Sequence, residues 1–81
     1  MKDAIRRVIQ DNVKISGDSS ALSDTDDLYV WGMTSHASVM LMLALENEFG
    51  VEFSDAMLTR DVFASINSIA EAICLLQLEA A

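Results

Sequence analysis

An all-α fold is what this sequence predicts, and three observations predict it. Apolar residues recur at three- and four-residue spacing near both ends of the chain. Proline is absent. The hydrophobic fraction of 52% contains only 6% aromatics and draws largely on Leu, Ala, Met and Ile. The spacing marks one stripe of a helix, no ring chemistry forces a helix break, and so apolar a chain is not disordered. Its 81 residues give room for one small domain, spanning 1–81, with one modest core.

The first helix is predicted over residues 2 to about 15, with Ile5, Val8, Ile9 and Val13 on one stripe. Ser16-Gly17-Asp18-Ser19-Ser20 stops it, because glycine is a common C-terminal stop and the polar cluster has no periodicity. A long loop then runs to Thr34. It contains Leu22, Leu28, Tyr29, Val30 and Trp31, so it is expected to pack back on the core. Loops of this length tend to be functional.

The second helix is predicted from about Ser35 to Phe49, with Thr34 as N-cap toward the amide of His36 or Ala37. Val39, Met42, Leu45 or Glu46, and Phe49 follow one stripe, yet Val39 to Leu45 is apolar all the way round. In so small a domain such a helix uses its outer face for a partner, and Met40 and Leu43 belong to that face. Gly50 ends the helix, and Val51-Glu52-Phe53 is an extended link with two inward apolar residues. Ser54 and Asp55 cap a brief third helix near Ala56 to Thr59. Ser65 is the N-cap of the last helix, whose core face is Ile66, Ile69, Ala70, Ile73, Cys74 and Leu76 or Gln77. The expected architecture is therefore four helices, three long and one short.

Charge narrows the partners. The formal charge is −8, from 5 basic and 13 acidic residues, and no Lys or Arg lies between Ser16 and Thr59. Such a surface repels phosphate backbones, which argues against nucleic acid, and steers proteins with basic patches toward it. The longest apolar run, Val39 to Leu45, is far short of a membrane span. The N-terminus mixes charges from the start and lacks the apolar stretch of a secretory signal. The single cysteine, Cys74, allows no internal disulfide, so a cytoplasmic monomer is the expectation.

Ser35 is the residue to which chemistry points. A serine hydroxyl is a weak nucleophile without a base, and no base is evident, so no catalytic residue is assigned. A serine opening a helix is most often just a cap. As an acceptor modified by another enzyme it is well placed, since a phosphate ester at a helix start meets free amides and the positive end of the helix dipole. His36 alone is a poor metal ligand or base, and Cys74 lies in another helix, so no metal site is assigned. Asp24-Thr25-Asp26-Asp27 fails the register of a calcium loop, because Tyr29 falls where glycine is needed and Ser35 where glutamate is needed. It reads as a solvated acidic loop. Met33, Met40, Met42 and Met57 read as core or near-core filler, or as flexible lining for a cavity. Cys74 reads as a small buried hydrophobe.

Gly32-Met33-Thr34-Ser35-His36, followed by Leu45-Glu46-Asn47-Glu48-Phe49-Gly50-Val51-Glu52-Phe53 and by Phe63-Ala64-Ser65-Ile66-Asn67-Ser68-Ile69, resembles the acyl carrier protein family over nearly the whole chain. Carriers usually read Gly-x-Asp-Ser-Leu, then an apolar and acidic helix ending in Glu-x-x-Phe-Gly. The resemblance implies a four-helix acyl-carrier-type bundle with a long loop between its first two helices. It also implies 4′-phosphopantetheine attached to Ser35, taken from coenzyme A by a phosphopantetheinyl transferase. Thr34 and His36 would flank the arm, and an acyl or aminoacyl group would ride on it as a thioester. A loading ligase and downstream transferases would dock on Met40, Leu43, Glu46 and Glu48.

The chain departs from the family at two places. Thr34 replaces aspartate, keeping capping ability but losing a charge. His36 replaces leucine, and Ala37, Ser38 and Met40 stand where acidic docking residues are common, which weakens the case for ordinary fatty acid synthase partners. Asp27-Leu28-Tyr29-x-x-Gly32-Met33-Thr34-Ser35 with Ala37-Ser38-Val39 resembles a divergent group of free-standing carriers. Some of these are loaded with an amino acid by ligases similar to seryl-tRNA synthetase, and others occur in lipid-related clusters. The candidate core and cargo cavity comprises Leu28, Val39, Met42, Leu45, Phe49, Phe53, Leu58 and Ile66. The competing reading is a small acidic helical interaction module in which Ser35 is only a cap.

Overall fold

Ile5, Val8 and Ile9, at helical spacing, are buried together on one side of the first helix, α1 (Lys2–Asn12). The computed structural model describes residues 1–13 and 21–80, and of residue 80 the backbone alone. α1 stops three residues before the expected end. Val13 turns to extended backbone (φ −125°, ψ 130°), which suits a β-branched residue and points it inward. Its amide still donates to the Ile9 carbonyl at 2.8 Å, and the Asn12 amide group donates to the Val8 carbonyl at 2.8 Å. The expected Ser16–Ser20 stop lies outside the described residues.

Residues 21–34 form the expected long connection, and most of its apolar residues pack inward. Leu22, Leu28 and Met33 are buried, and Tyr29 and Trp31 lie against the core. Val30 is the exception at 79% exposed, because successive turn bonds, Trp31 to the Asp27 carbonyl and Gly32 to the Tyr29 carbonyl, swing it outward. The acidic stretch of this loop has specific partners. Asp24 accepts from Arg6 at 2.9 Å and lies 3.9 Å from Lys2. Asp26 accepts from the Ser23 amide and Asp27 from the Tyr29 amide, both at 2.9 Å. Among the described residues no cluster of His, Cys, Asp and Glu could hold a metal ion.

The second helix, α2 (Ser35–Phe49), has the expected bounds. Gly50 follows in the left-handed region (φ 63°), where an L side chain is disfavoured, and ends the helix. The core register differs from the expected stripe, however. Leu41 and Leu45 are the fully buried residues, while Val39 is 50% exposed. Phe53 is buried, Val51 packs against the core, and Phe53 meets Phe63 with ring centroids 5.3 Å apart. The short third helix is a single 3-10 turn, Asp55–Met57, and Ser54 makes no side-chain cap bond there. Leu58, expected in the core or cargo cavity, is 48% exposed.

The third α-helix, α3 (Ile66–Ala80), begins at Ser65 as expected. Ser65 and Ser68 cap each other: the Ser68 amide donates to Ser65 Oγ at 3.1 Å and the Ser65 amide to Ser68 Oγ at 3.0 Å. Ile66, Ile69, Ala70, Ala72, Ile73 and Leu76 are buried, but Cys74 is exposed. The buried set follows 66, 69, 73 and 76, so position 74 falls on the shoulder of the helix. α1 packs on both α2 and α3. The connection is tied to the segment before α3 by Leu28 N–H to the Ala64 carbonyl (2.7 Å) and to α3 itself by Asn67 N–H to the Asp24 carbonyl (3.0 Å). The second of these satisfies a first-turn amide that the helix itself leaves unpaired.

The described residues are thus all-helical, with three α-helices and a 3-10 turn in place of a fourth helix. No helix among them is long and apolar enough to cross a membrane.

Candidate functional site

Ser35 opens α2 and its side chain is exposed. Two features place it there. Thr34 has extended backbone and its hydroxyl accepts from the Ala37 amide at 3.1 Å, which starts the helix at the next residue. Gly32 sits at φ 114°, a conformation that favours glycine, and carries the chain from the 28–32 turn into the cap. Ser38 then donates its hydroxyl to the Ser35 carbonyl at 2.6 Å. Among the described residues no base is hydrogen-bonded to the Ser35 hydroxyl.

A groove of about 410 Å³ opens beside it, lined by Ser35, Ser38, Val39, Met42, Leu58 and Phe63, with Tyr29, Thr59 and Arg60 completing the wall. Residues 35, 38, 39 and 42 are spaced as one helical stripe. Val39 and Met42, expected in the core or cargo cavity, line an open groove that starts at the serine, and Met42 also packs against the core. Leu58 lines the same groove. Sequence reasoning missed Ser38, Thr59 and Arg60, whose roles depend on where the 58–63 segment folds back. The one signal for Arg60 was its isolation as the sole basic residue after Lys14.

The remaining expected positions fall on a second stripe of α2. His36, Met40 and Leu43 follow i, i+4, i+7 and all are exposed, Met40 at 45% and Leu43 at 51%. Glu48 is exposed as well. Glu46 is half-buried and already used: its Oε2 accepts from the Phe53 amide at 2.8 Å, bracing the link after Gly50. The structure thus brings Thr34, Ser35 and His36 together at the start of α2. Met40 and Leu43 lie along the adjoining face, and Glu46 and Glu48 near its far end.

The fit to a phosphopantetheine arm rests on these features: an accessible hydroxyl, a helix N-terminus for a phosphate, and an apolar groove alongside. Comparison with known proteins points the same way. The family profile described as "Phosphopantetheine attachment site" matches residues 3–73. The aminoacyl carrier protein of Agrobacterium fabrum is 37% identical over 76 residues, covering 94% of this chain and 92% of that protein. A carrier protein from Agrobacterium tumefaciens, crystallised with an engineered Bradyrhizobium japonicum glycine:[carrier protein] ligase and ATP, superposes with a TM-score of 0.87 at 36% identity, over 91% of this chain and 96% of that one. A solution structure from Agrobacterium tumefaciens superposes with a TM-score of 0.77 at 37% identity, with both chains fully covered. This chain belongs to the phosphopantetheine attachment-site family and is a carrier protein whose covalent cofactor is 4′-phosphopantetheine.

Proposed function

We propose that Ser35 is the attachment residue and that the whole chain acts as one carrier domain, a cytoplasmic monomer without catalytic activity of its own. The 3-10 turn serves in place of the short helix of a four-helix carrier bundle. The observation that carries the reading is the exposed Ser35 hydroxyl, capped into place by Thr34 at the mouth of an apolar groove. A phosphopantetheinyl transferase takes the hydroxyl proton. Ser35 Oγ then bonds to the phosphorus that carries the pantetheine arm, and the bond from that phosphorus to the adenosine bisphosphate half of coenzyme A breaks. When bound, the arm supplies a terminal thiol that holds cargo as a thioester.

The cargo is an acyl or aminoacyl group, and the relatives favour aminoacyl: one is named an aminoacyl carrier protein, and another was crystallised with a glycine ligase. The loading partner proposed is an amino acid:carrier ligase, with downstream transferases as recipients. They dock on the stripe beside the arm, through His36, Met40 and Leu43, with Glu48 at its edge. Glu46 contributes to this surface indirectly, by holding Phe53.

Intact mass after incubation with coenzyme A and a broad-specificity phosphopantetheinyl transferase tests the attachment. One added phosphopantetheine group is expected, and none on Ser35→Ala. Addition to the mutant would move the site elsewhere. Incubating the modified protein with ATP, an amino acid and a glycine:carrier ligase should then add the mass of one aminoacyl group, removable by hydroxylamine.

A further inference from the structure

Arg60 is the sole cation among the residues that line the groove shared with Ser35. Its guanidinium carbon lies 4.3 Å from the centre of the Tyr29 ring, a stacking that keeps the planar group against the groove wall. Its Nη2 is 3.9 Å from Asp27 Oδ2, in a pair whose side chains are 67% and 42% exposed. Exposed pairs at that separation hold weakly. Asp27 is itself fixed, because its other oxygen accepts from the Tyr29 amide at 2.9 Å. Asp27 and Tyr29 thus bracket a loosely paired guanidinium in the groove that Ser35 also lines. The setting makes this notable, since the chain has no other Lys or Arg from Ser16 to its end and a formal charge of −8. Arginine is also the side chain best suited to grip a phosphate with two parallel donors.

We propose that Arg60 is a positioning residue for the arm: its guanidinium donates to the phosphate oxygens carried on Ser35, giving up the weak contact with Asp27. The contact anchors the root of the arm at the groove rather than leaving it to swing in solvent. This inference rests on Ser35 being the attachment residue.

The test uses the apo and modified forms of wild type, Arg60→Gln, Arg60→Lys and Asp27→Asn, read by the phosphorus NMR signal of the arm and the Nε–Hε signal of Arg60. Modification should shift the Arg60 signal and slow its exchange with water. The phosphorus signal of Arg60→Gln should differ from wild type. Arg60→Lys should return only part of the difference, because an ammonium keeps the charge and loses the fork. Asp27→Asn keeps the acceptor for the Tyr29 amide but removes the competing charge, so it should enlarge the Arg60 shift. An Arg60 signal indifferent to modification, with the same phosphorus signal in wild type and Arg60→Gln, would overturn the proposal and leave Arg60 as a clip on Tyr29. A wild-type chain that gains no mass would overturn the Ser35 reading and this one with it. Normal modification with an indifferent Arg60 would defeat the present inference alone.

Discussion

Thr34 takes the place of the aspartate that usually precedes the modified serine, and its cap bond to the Ala37 amide shows what the replacement retains. Losing that bond should cost about 1 kcal/mol. Thr34→Ala is therefore expected to lower the urea midpoint, while Thr34→Asp keeps it within error. Equal loss in both would mean that the hydroxyl contributes something other than the cap. Gly50 permits a cleaner prediction: a Cβ there meets nothing within 4 Å, so Gly50→Ala carries only the left-handed backbone penalty at φ +63°, about 1 kcal/mol. Glu46 separates structure from docking. Glu46→Ala removes the acceptor of the Phe53 amide and should destabilise by about 1.5–3 kcal/mol, whereas Glu46→Gln keeps an acceptor and most of the stability. Thr34, Ser35, Gly50 and Ser65 were legible in the sequence because caps and stops are local chemistry. Arg60 and Cys74 were not, since one depends on a fold-back and the other on the rotation of a helix.

At the scale of the element, α2 is where sequence and structure part. Its ends were readable, but a helix apolar on every side carries no periodic signal to say which face is inside. Val39 and Met42 line the groove, Leu41 and Leu45 are fully buried, and Met42 and Phe49 also pack against the core. α1 had polar residues between its apolar ones, so its stripe could be read directly: Ile5, Val8 and Ile9 are buried, and Val13 is buried just past its end. The observed register of α2 makes neighbouring leucines behave oppositely. Leu41→Ala should destabilise by about 2–5 kcal/mol, enough to unfold much of a domain with about 5–15 kcal/mol of total stability. Leu43→Ala should stay within about 0.5 kcal/mol of wild type. Leu43→Lys should fold normally and still reduce kcat/KM for loading by the proposed ligase, because it places a charge on the proposed docking stripe. Thermal melts of the two alanine variants check the register; loading kinetics of Leu43→Lys check the face. If Leu43→Lys loads like wild type, the partner does not use this stripe.

Across the whole molecule, the long connection keeps its shape through distant contacts that no local pattern encodes: Arg6 to Asp24, Leu28 to Ala64 and Asn67 to Asp24. These also draw Lys2 and Arg6 to the acidic loop, as Arg60 is drawn to Asp27. Among the described residues Lys2, Arg6 and Arg60 thus lie beside loop carboxylates, in a chain whose 13 acidic residues outnumber its 5 basic ones and repel one another. The molecule measures 38 × 22 × 19 Å. At about 0.01 M salt the screening length is about 30 Å, so repulsion acts across nearly the whole body; at about 0.15 M it is about 8 Å, and only neighbours interact. The ion pairs, at 2.9 to 3.9 Å, are shorter than either length and lose much less. Raising salt over this range should therefore raise the melting temperature, most for wild type and less for variants in which exposed Glu48 or Glu52 is neutralised. A melting temperature that falls with salt would mean that the cluster at Asp24, rather than the net charge, governs the electrostatic stability of this carrier.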